Sequence, residues 1–257
     1  MRAGPEMSII KLAKWLLITS LLTIGGLGFI LWLFTPGALT RDAPRDLPWE
    51  LPDYRLAHTS WEVGEDGRIY TRVEHFFLEG ISPQMVSWFY QQLPISTVDL
   101  DGLTYPLYHM FHPTEHGRLR ILEPAPDGTP GMAMGAMIQR EEWFGPYDST
   151  GAARIVEFSA DGMLAIPEVA GLAIGEVRHS LRAENGGTVY RVDAIIGSAL
   201  PMLGSVINFY LRTMVFHPQM IEQWRRHQVE EVSSLQFFLA EIYAQRDNSD
   251  NHYSIIR

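Results

Sequence analysis

The sequence has no cysteine among its 257 residues. That absence removes disulfide frameworks, thiolate-bound zinc, iron–sulfur clusters and thiol nucleophiles together. Any transition metal has to be held by the nine histidines and by carboxylates, so the search is for His and Glu at workable spacings. Basic charge is scarce as well. The 20 Lys plus Arg stand against 30 Asp plus Glu for a net charge of −10, which argues against a nucleic-acid partner. No internal repeat is evident. What is abundant is apolar material, 46% hydrophobic with 11% aromatic, enough for the packed core of one sizeable domain.

Trp15 to Phe34 reads WLLITSLLTIGGLGFILWLF and carries no charge. At 1.5 Å per residue such a run matches a bilayer core of roughly 30 Å, and it predicts a transmembrane helix over residues 15–35. A cleavable signal peptide has a shorter apolar region ending in a small-x-small site, whereas this run ends Leu33-Phe34-Thr35-Pro36. Arg2, Lys11 and Lys14 precede the span, and Arg41 and Arg45 follow it among Asp42, Asp46 and Glu50. The positive-inside bias places residues 1–14 in the cytoplasm and the body of the protein outside it. Residues 36–54 carry Pro36, Pro44, Pro48 and Pro52, which predicts a stiff, extended linker that lifts the domain off the membrane.

From residue 55 the pattern becomes strand-like. HTSWEV, a turn at Glu65-Asp66-Gly67 and RIYTRVEHFFL form a hairpin signal. Ser82-Pro83 opens a short helix, with Ser as N-cap and Pro at the first helical position. Strands are expected near Leu103–Phe111, Arg118–Leu122, Met132–Phe144 and Ala152–Phe158. Leu172–Arg182 and Thr188–Ile195 form another pair around Glu184-Asn185-Gly186-Gly187. After Pro201 the chain turns helical, with one long helix from Pro218 to about Gln245 and a polar tail over residues 246–257. The plan for residues 55–245 is α+β: a curved antiparallel sheet gripping a long C-terminal helix, with a cavity between them.

On that helix, about 100° per residue puts Leu235 at about 80°, Phe238 at about 20° and Ile242 at about 60° from His227, an apolar stripe. Glu231 falls inside the stripe at about 40° and Glu230 outside it at about 300°. His227 and Glu231 are thus i, i+4 neighbours on a buried face, where a carboxylate is costly unless it is paired or binds a metal. A structural His–Glu hydrogen bond and a pair of metal ligands both satisfy that condition. Elsewhere, YPLYHMFHPTEH supplies His109, His112 and His116 near a strand end, and Glu141-Glu142 ends the strand IQREEW with only one of the two facing inward. His179 lies in mid-strand.

The order of these signals resembles the 2,4-diacetylphloroglucinol hydrolases and the related phloretin hydrolase. The resemblance begins near SPQMVSW (82–88), continues through YHMFHPTEH (108–116), and is densest at HQVEEVSSLQFFLAEIY (227–243). It implies a zinc-dependent hydrolase that cleaves a carbon–carbon bond between an acyl group and a phenolic ring, in a START-like helix-grip fold. The metal ligands it implies are His116, Glu142, His227 and Glu231, with Zn2+ as cofactor. His116 is preferred to His112 because Tyr108 then matches the family's phenol-contacting tyrosine, and Glu142 to Glu141 because it heads Glu142-Trp143-Phe144-Gly145. His179 falls where the family has a substrate-touching histidine, Tyr190 lies near its second substrate tyrosine, and Leu119 stands where a polar residue was expected. The partner implied is a small acylated phenol. The alternative expectation is a membrane-tethered module that binds a lipid or an aromatic ligand in the same cavity without catalysis.

Overall fold

The computed structural model describes residues 9–247 and 250–256. The chain forms two compact units, Met1–Thr35 and Pro36–Arg257. In the first, helix α1 (Ile9–Leu33) spans 25 residues, about 37 Å at the α-helical rise. Trp15, Leu16, Leu17, Leu21, Leu22, Phe29 and Trp32 are exposed on it. Among the described residues, which leave out the side chains at 9, 10, 23, 24, 27 and 30, no helix is long and apolar enough to cross a membrane. The run expected as a span is thus a helix here, and its crossing rests on the sequence alone. Residues 1–8, Arg2 among them, lie outside the described residues.

The second unit runs β1 (His58–Val63), β2 (Ile69–Glu74), β3 (Leu78–Glu79), α2 (Pro83–Gln92), β4 (Thr97–Leu100), β5 (Leu103–Pro106), α3 (Leu107–Phe111), β6 (His116–Glu123) and β7 (Met137–Phe144). It continues with β8 (Tyr147–Ser159), β9 (Gly162–Val169), β10 (Leu172–Ala173), β11 (Gly175–Glu184), β12 (Gly187–Ile196), α4 (Leu203–Tyr210), α5 (Pro218–Ser234), α6 (Leu239–Ala244) and β13 (His252–Ile255). The main sheet has the order β1-β2-β12-β11-β9-β8-β7-β6, with every neighbour antiparallel. Irregular registers in β6 and β8 bend it. One face is apolar by strict alternation: Ile69, Thr71 and Val73 of β2 and Tyr190, Val192 and Ala194 of β12 are buried. Helix α5 lays Met220, Trp224, Val229 and Val232 into the core. The arrangement is the expected α+β plan, an antiparallel sheet closed by C-terminal helices in the helix-grip manner. Its principal core cluster runs from Leu47 to Ile255, within the second unit alone.

Four local expectations are corrected. The strand expected over Leu103–Phe111 stops at Pro106, because Leu107, Tyr108, Met110 and Phe111 bury themselves from the short helix α3. The long helix ends at Ser234. Ser233 Oγ donates to the Val229 carbonyl at 2.6 Å and Ser234 Oγ to the Glu231 carbonyl at 2.7 Å. Such back-bonding bends a helix, and Phe238 leaves helical geometry at φ −143° before α6 begins. Phe238 and Ile242 are buried nonetheless. The polar tail contains β13, which pairs in parallel with β4. The Pro-rich segment is extended but does not stand away from the domain. Leu39 N–H donates to Asp148 Oδ2 at 3.1 Å, and Arg41 Nε to Asp148 Oδ1 at 2.7 Å. The Arg45 guanidinium donates to the His116 carbonyl at 2.7 Å, and Leu47 and Trp49 enter the core.

His75, just beyond β2, turns its ring inward, 4.7 Å from the centroid of Tyr190. Among the described residues neither ring nitrogen has a hydrogen-bond partner. Burial lowers its pKa from 6.5 to about 3.

Two outcomes follow from this packing. Replacing Arg45, whose side chain is only 6% exposed, by Ala takes the guanidinium donor from the carbonyl of buried His116 and should cost about 1–3 kcal/mol in urea unfolding. For His75 the folded-state pKa lies below the unfolded one, so the unfolded chain takes up the proton first as pH falls. Stability is therefore lost below about pH 6.5, by about 2 kcal/mol at pH 5. His75→Leu should remove that part of the loss between pH 7 and pH 5, and identical losses in both proteins would refute the account.

Candidate metal centre

Three elements bring the cluster together. At the start of β6, His116 stands opposite Glu142 of β7 in the antiparallel register. On α5, His227 and Glu231 lie one turn apart on the face toward the sheet. His116 and His227 are fully buried, and Glu142 and Glu231 are nearly so. The Nε2 atoms of His116 and His227 are 3.2 Å apart. Glu231 Oε2 is 3.3 Å from His116 Nε2 and 3.5 Å from His227 Nε2, and Glu142 Oε1 is 3.9 Å from His116 Nε2. Tetrahedral zinc with bonds of about 2.0 to 2.2 Å separates its donor atoms by about 3.3 to 3.6 Å. His116, His227 and Glu231 lie close to that spacing, and Glu142 stands wider, in one group with the two histidines whose donor atoms are all within 4.8 Å of one another.

The hydrogen bonds behind the cluster decide which atoms are left to face it. His116 Nδ1 donates to the Tyr108 carbonyl at 2.8 Å, and His227 Nδ1 to Glu115 Oε2 at 2.9 Å. With each Nδ1 engaged outward, each Nε2 is the atom left to face the carboxylates, and it offers a lone pair to a metal when its ring is neutral. Glu231 Oε2 faces both rings, and Glu142 Oε1, which accepts from the Tyr108 hydroxyl, stands beside them. Outer partners that hold imidazole ligands by their far nitrogen are a usual part of metal sites. The field agrees. Burial works against a charged His227, yet Glu115 and Glu231 outweigh it and raise its pKa from 6.5 to about 9. Burial likewise opposes ionised Glu231, and hydrogen bonds from His116 and His227 overcome it, so its pKa is lowered. The cluster is therefore built to accept positive charge.

A second layer surrounds it. Glu115 accepts from the Arg226 guanidinium and from Gly145 N–H at 2.9 Å. Arg226 also holds Glu230, which pairs with His112 Nε2 at 3.2 Å, and the His112 ring stacks on that of His227 at 4.4 Å. Of the residues weighed against the expected ligands, Glu230 is taken up by Arg226 and His112, and His112 forms with Glu115 and His227 a second group whose donor atoms lie within 4.8 Å of one another. Glu141 is the more exposed carboxylate of its pair, whereas Glu142 is buried and takes an ion pair from Arg140. Sequence reasoning missed Glu115, Arg226 and Arg140. Arg140 had a readable signal, since it lies two residues before Glu142 on the same strand face. Glu115 had none.

A cavity opens from the cluster between α5 and the sheet, with about 880 Å³ of space including its mouth. Phe111, Leu119, Ile138, Met163, Val177 and Trp224 give it apolar walls, and Tyr108, Arg140, His179 and Gln228 add polar atoms beside Glu142 and Glu231. Leu119, where a polar residue was expected, is part of the apolar wall. Tyr108 donates its hydroxyl to Glu142, with its ring stacked 3.9 Å from that of His116. Burial and the Glu142 charge keep that hydroxyl protonated. His179 pairs through Nδ1 with the Tyr190 hydroxyl at 2.5 Å, which meets the Tyr90 hydroxyl at 2.5 Å. Burial lowers the His179 pKa to about 4, so the ring is neutral at neutral pH. Tyr90 is the member of this chain that sequence reasoning did not include.

No family model matches the chain, and no curated protein matches it. It is similar to solved structures. Ms6760 from Mycobacterium smegmatis superposes with a TM-score of 0.43 at 10% identity, over 70% of this chain and 96% of that one. A START superfamily protein from the same organism gives 0.38 at 13%, over 64% and 98%. Ara h 8.0201 gives 0.39 at 10%, over 72% and 98%. Likeness this distant carries no argument, so the fold rests on its own strand order and the site on its own geometry.

Proposed function

We propose that the domain takes a small aromatic ligand into the cavity and that His116, Glu142, His227 and Glu231 hold a zinc ion at its inner end, making it a hydrolase of acylated phenols. The observation that carries the reading is the gathering of His116, His227 and Glu231 in one buried region, with Glu142 beside them, while both Nδ1 atoms are engaged elsewhere. The resemblance around residues 82–88, 108–116 and 227–243 supports the choice of substrate class. Zinc, when bound, would lower the pKa of water toward about 7 or polarise the acyl carbonyl. The chain's own residues do the rest.

In hydrolysis, water adds its oxygen to the acyl carbon and the bond to the ring breaks. The electron pair goes to the ring carbon, which takes up a proton, so the products are a carboxylic acid and the free phenol. Neutral His179, oriented by Tyr190 and Tyr90, is placed to hold a ring hydroxyl. Tyr108 stays protonated and has a proton to offer near Glu142. The apolar walls exclude bulk water and accept the ring face. A second reading is favoured by those same walls: a pocket that only binds an apolar aromatic molecule, with the His–Glu cluster as a buried structural network. The apolar run of α1 is proposed as the membrane anchor of either form, on its length and lack of charge.

Elemental analysis separates the two readings. The purified protein should carry about one zinc per chain, and His227→Ala should lose it together with acid release from acylated phenols. Tyr108→Phe should keep the metal and lose turnover by roughly 10²-fold or more. Glu115→Gln should weaken zinc affinity by roughly 10- to 100-fold, measured by competition with a chelating dye. Metal-free wild-type protein that still binds aromatic ligands would transfer the conclusion to the binding module.

A further inference from the structure

The segment between β12 and α5 has no part in the cavity. Its 19 residues from Ser198 to Phe216 read SALPMLGSVINFYLRTMVF, with one arginine and no carboxylate. Helix α4 within it is held firmly from one side. Ile207, Asn208 and the following Leu211 are buried, and Asn208 accepts from Ser198 N–H at 2.7 Å while donating to the carbonyls of Ser198 at 3.1 Å and Asp66 at 3.2 Å. The opposite side presents Leu203, Val206 and Phe209 outward at i, i+3 and i+6. Met202 precedes them and Met214 follows. Met202 is 89% exposed, Phe209 58% and Met214 65%. An amphipathic helix normally turns such residues inward. Here the inward face is already filled by others, so the outer face is a second apolar surface with no covering among the described residues.

Two further observations indicate what covers it. The first is where the chain enters the domain. Followed through the antiparallel registers, the starts of β2, β11 and β8 and the ends of β12, β9 and β7 share one end of the sheet. Helix α4 sits at that end, tied to the β1–β2 turn through Asn208 and Arg212. Leu39 and Arg41 are bound at the same end, on Asp148 at the start of β8. Only a few residues separate Leu39 from the uncharged run Trp15–Phe34. The second observation is the cation. Arg212 lies 5.2 Å over the Phe209 ring and donates to the Gly67 carbonyl at 3.3 Å, and among the described residues no carboxylate forms an ion pair with it. An apolar helix face with a basic residue at its rim is what an interfacial helix offers to lipid headgroups and acyl chains.

We infer that the outer face of α4, with Met202 and Met214, is a membrane-docking surface that lies in the interface of a lipid bilayer. This does not rest on the metal reading; its placement uses the proposed anchoring by α1, and protein lacking α1 tests the two apart. Protein comprising residues 36–257, which holds the whole principal core, should co-sediment with vesicles of phosphatidylcholine and phosphatidylglycerol at 4:1. Because apolar contact does most of the binding, vesicles of phosphatidylcholine alone should retain part of it. Phe209→Glu combined with Met214→Glu should reduce the bound fraction at least tenfold while far-UV circular dichroism and the thermal midpoint stay unchanged. Met202→Gln combined with Met214→Gln, at the two most exposed positions, tests the same surface where the first pair does not fold. Failure of the unsubstituted domain to sediment with vesicles, or equal binding by a folded variant, overturns the proposal. So does a domain dimer in solution that the substitutions abolish in the absence of lipid binding, since a second copy would then cover the face.

Discussion

Everything around the charged side of the cavity depends on one constraint: two imidazoles and two carboxylates are held together in a buried place. Like groups at these separations repel or waste their hydrogen-bonding capacity unless something positive lies among them. The neighbouring residues are arranged accordingly. Arg140 compensates Glu142, Arg226 compensates both Glu115 and Glu230, and the Tyr108 carbonyl and Glu115 carboxylate orient the two rings. A buried carboxylate removed from such a set leaves its partner uncompensated, so the network behaves as a unit rather than as a sum of pairs.

The fold supplies this arrangement with rigid parts. His116 and Glu142 are held by sheet register, and His227 and Glu231 by helical pitch. Each pair is internally precise because regular backbone geometry sets it. What joins the pairs is the packing of α5 on the sheet, reinforced by Phe144, whose ring meets that of His227 at 4.8 Å, and by Ser234 Oγ on the Phe111 carbonyl at 2.8 Å. The proline-rich strap adds a clamp from outside. Arg45 reaches the His116 carbonyl, so a segment that reads as a linker secures the strand that carries one of the proposed ligands.

The cavity is bordered by two chemically different sets of polar groups, the charged cluster and the neutral chain His179–Tyr190–Tyr90. The rest of its walls are largely aliphatic and aromatic. The His75 ring packs behind Tyr190 without a hydrogen bond and stays neutral, because burial suppresses its charge.

Much of this was legible in residue order. Period-3.6 spacing placed Glu231 inward and Glu230 aside, the Ser82-Pro83 cap marked α2, and Asn185-Gly186 marked the β11–β12 hairpin, where both residues adopt positive φ. These are local facts, because which face a side chain takes depends on the few residues around it. Residue order could not show that Glu115 would hold His227 across 112 positions, that the strap would lie along the domain, or that the polar tail would add β13 to the small sheet. Distances between elements are set by how whole surfaces pack, and no short window of sequence contains that information. The sequence alone therefore determined which side chains turn inward, and the tertiary structure decided which of them meet.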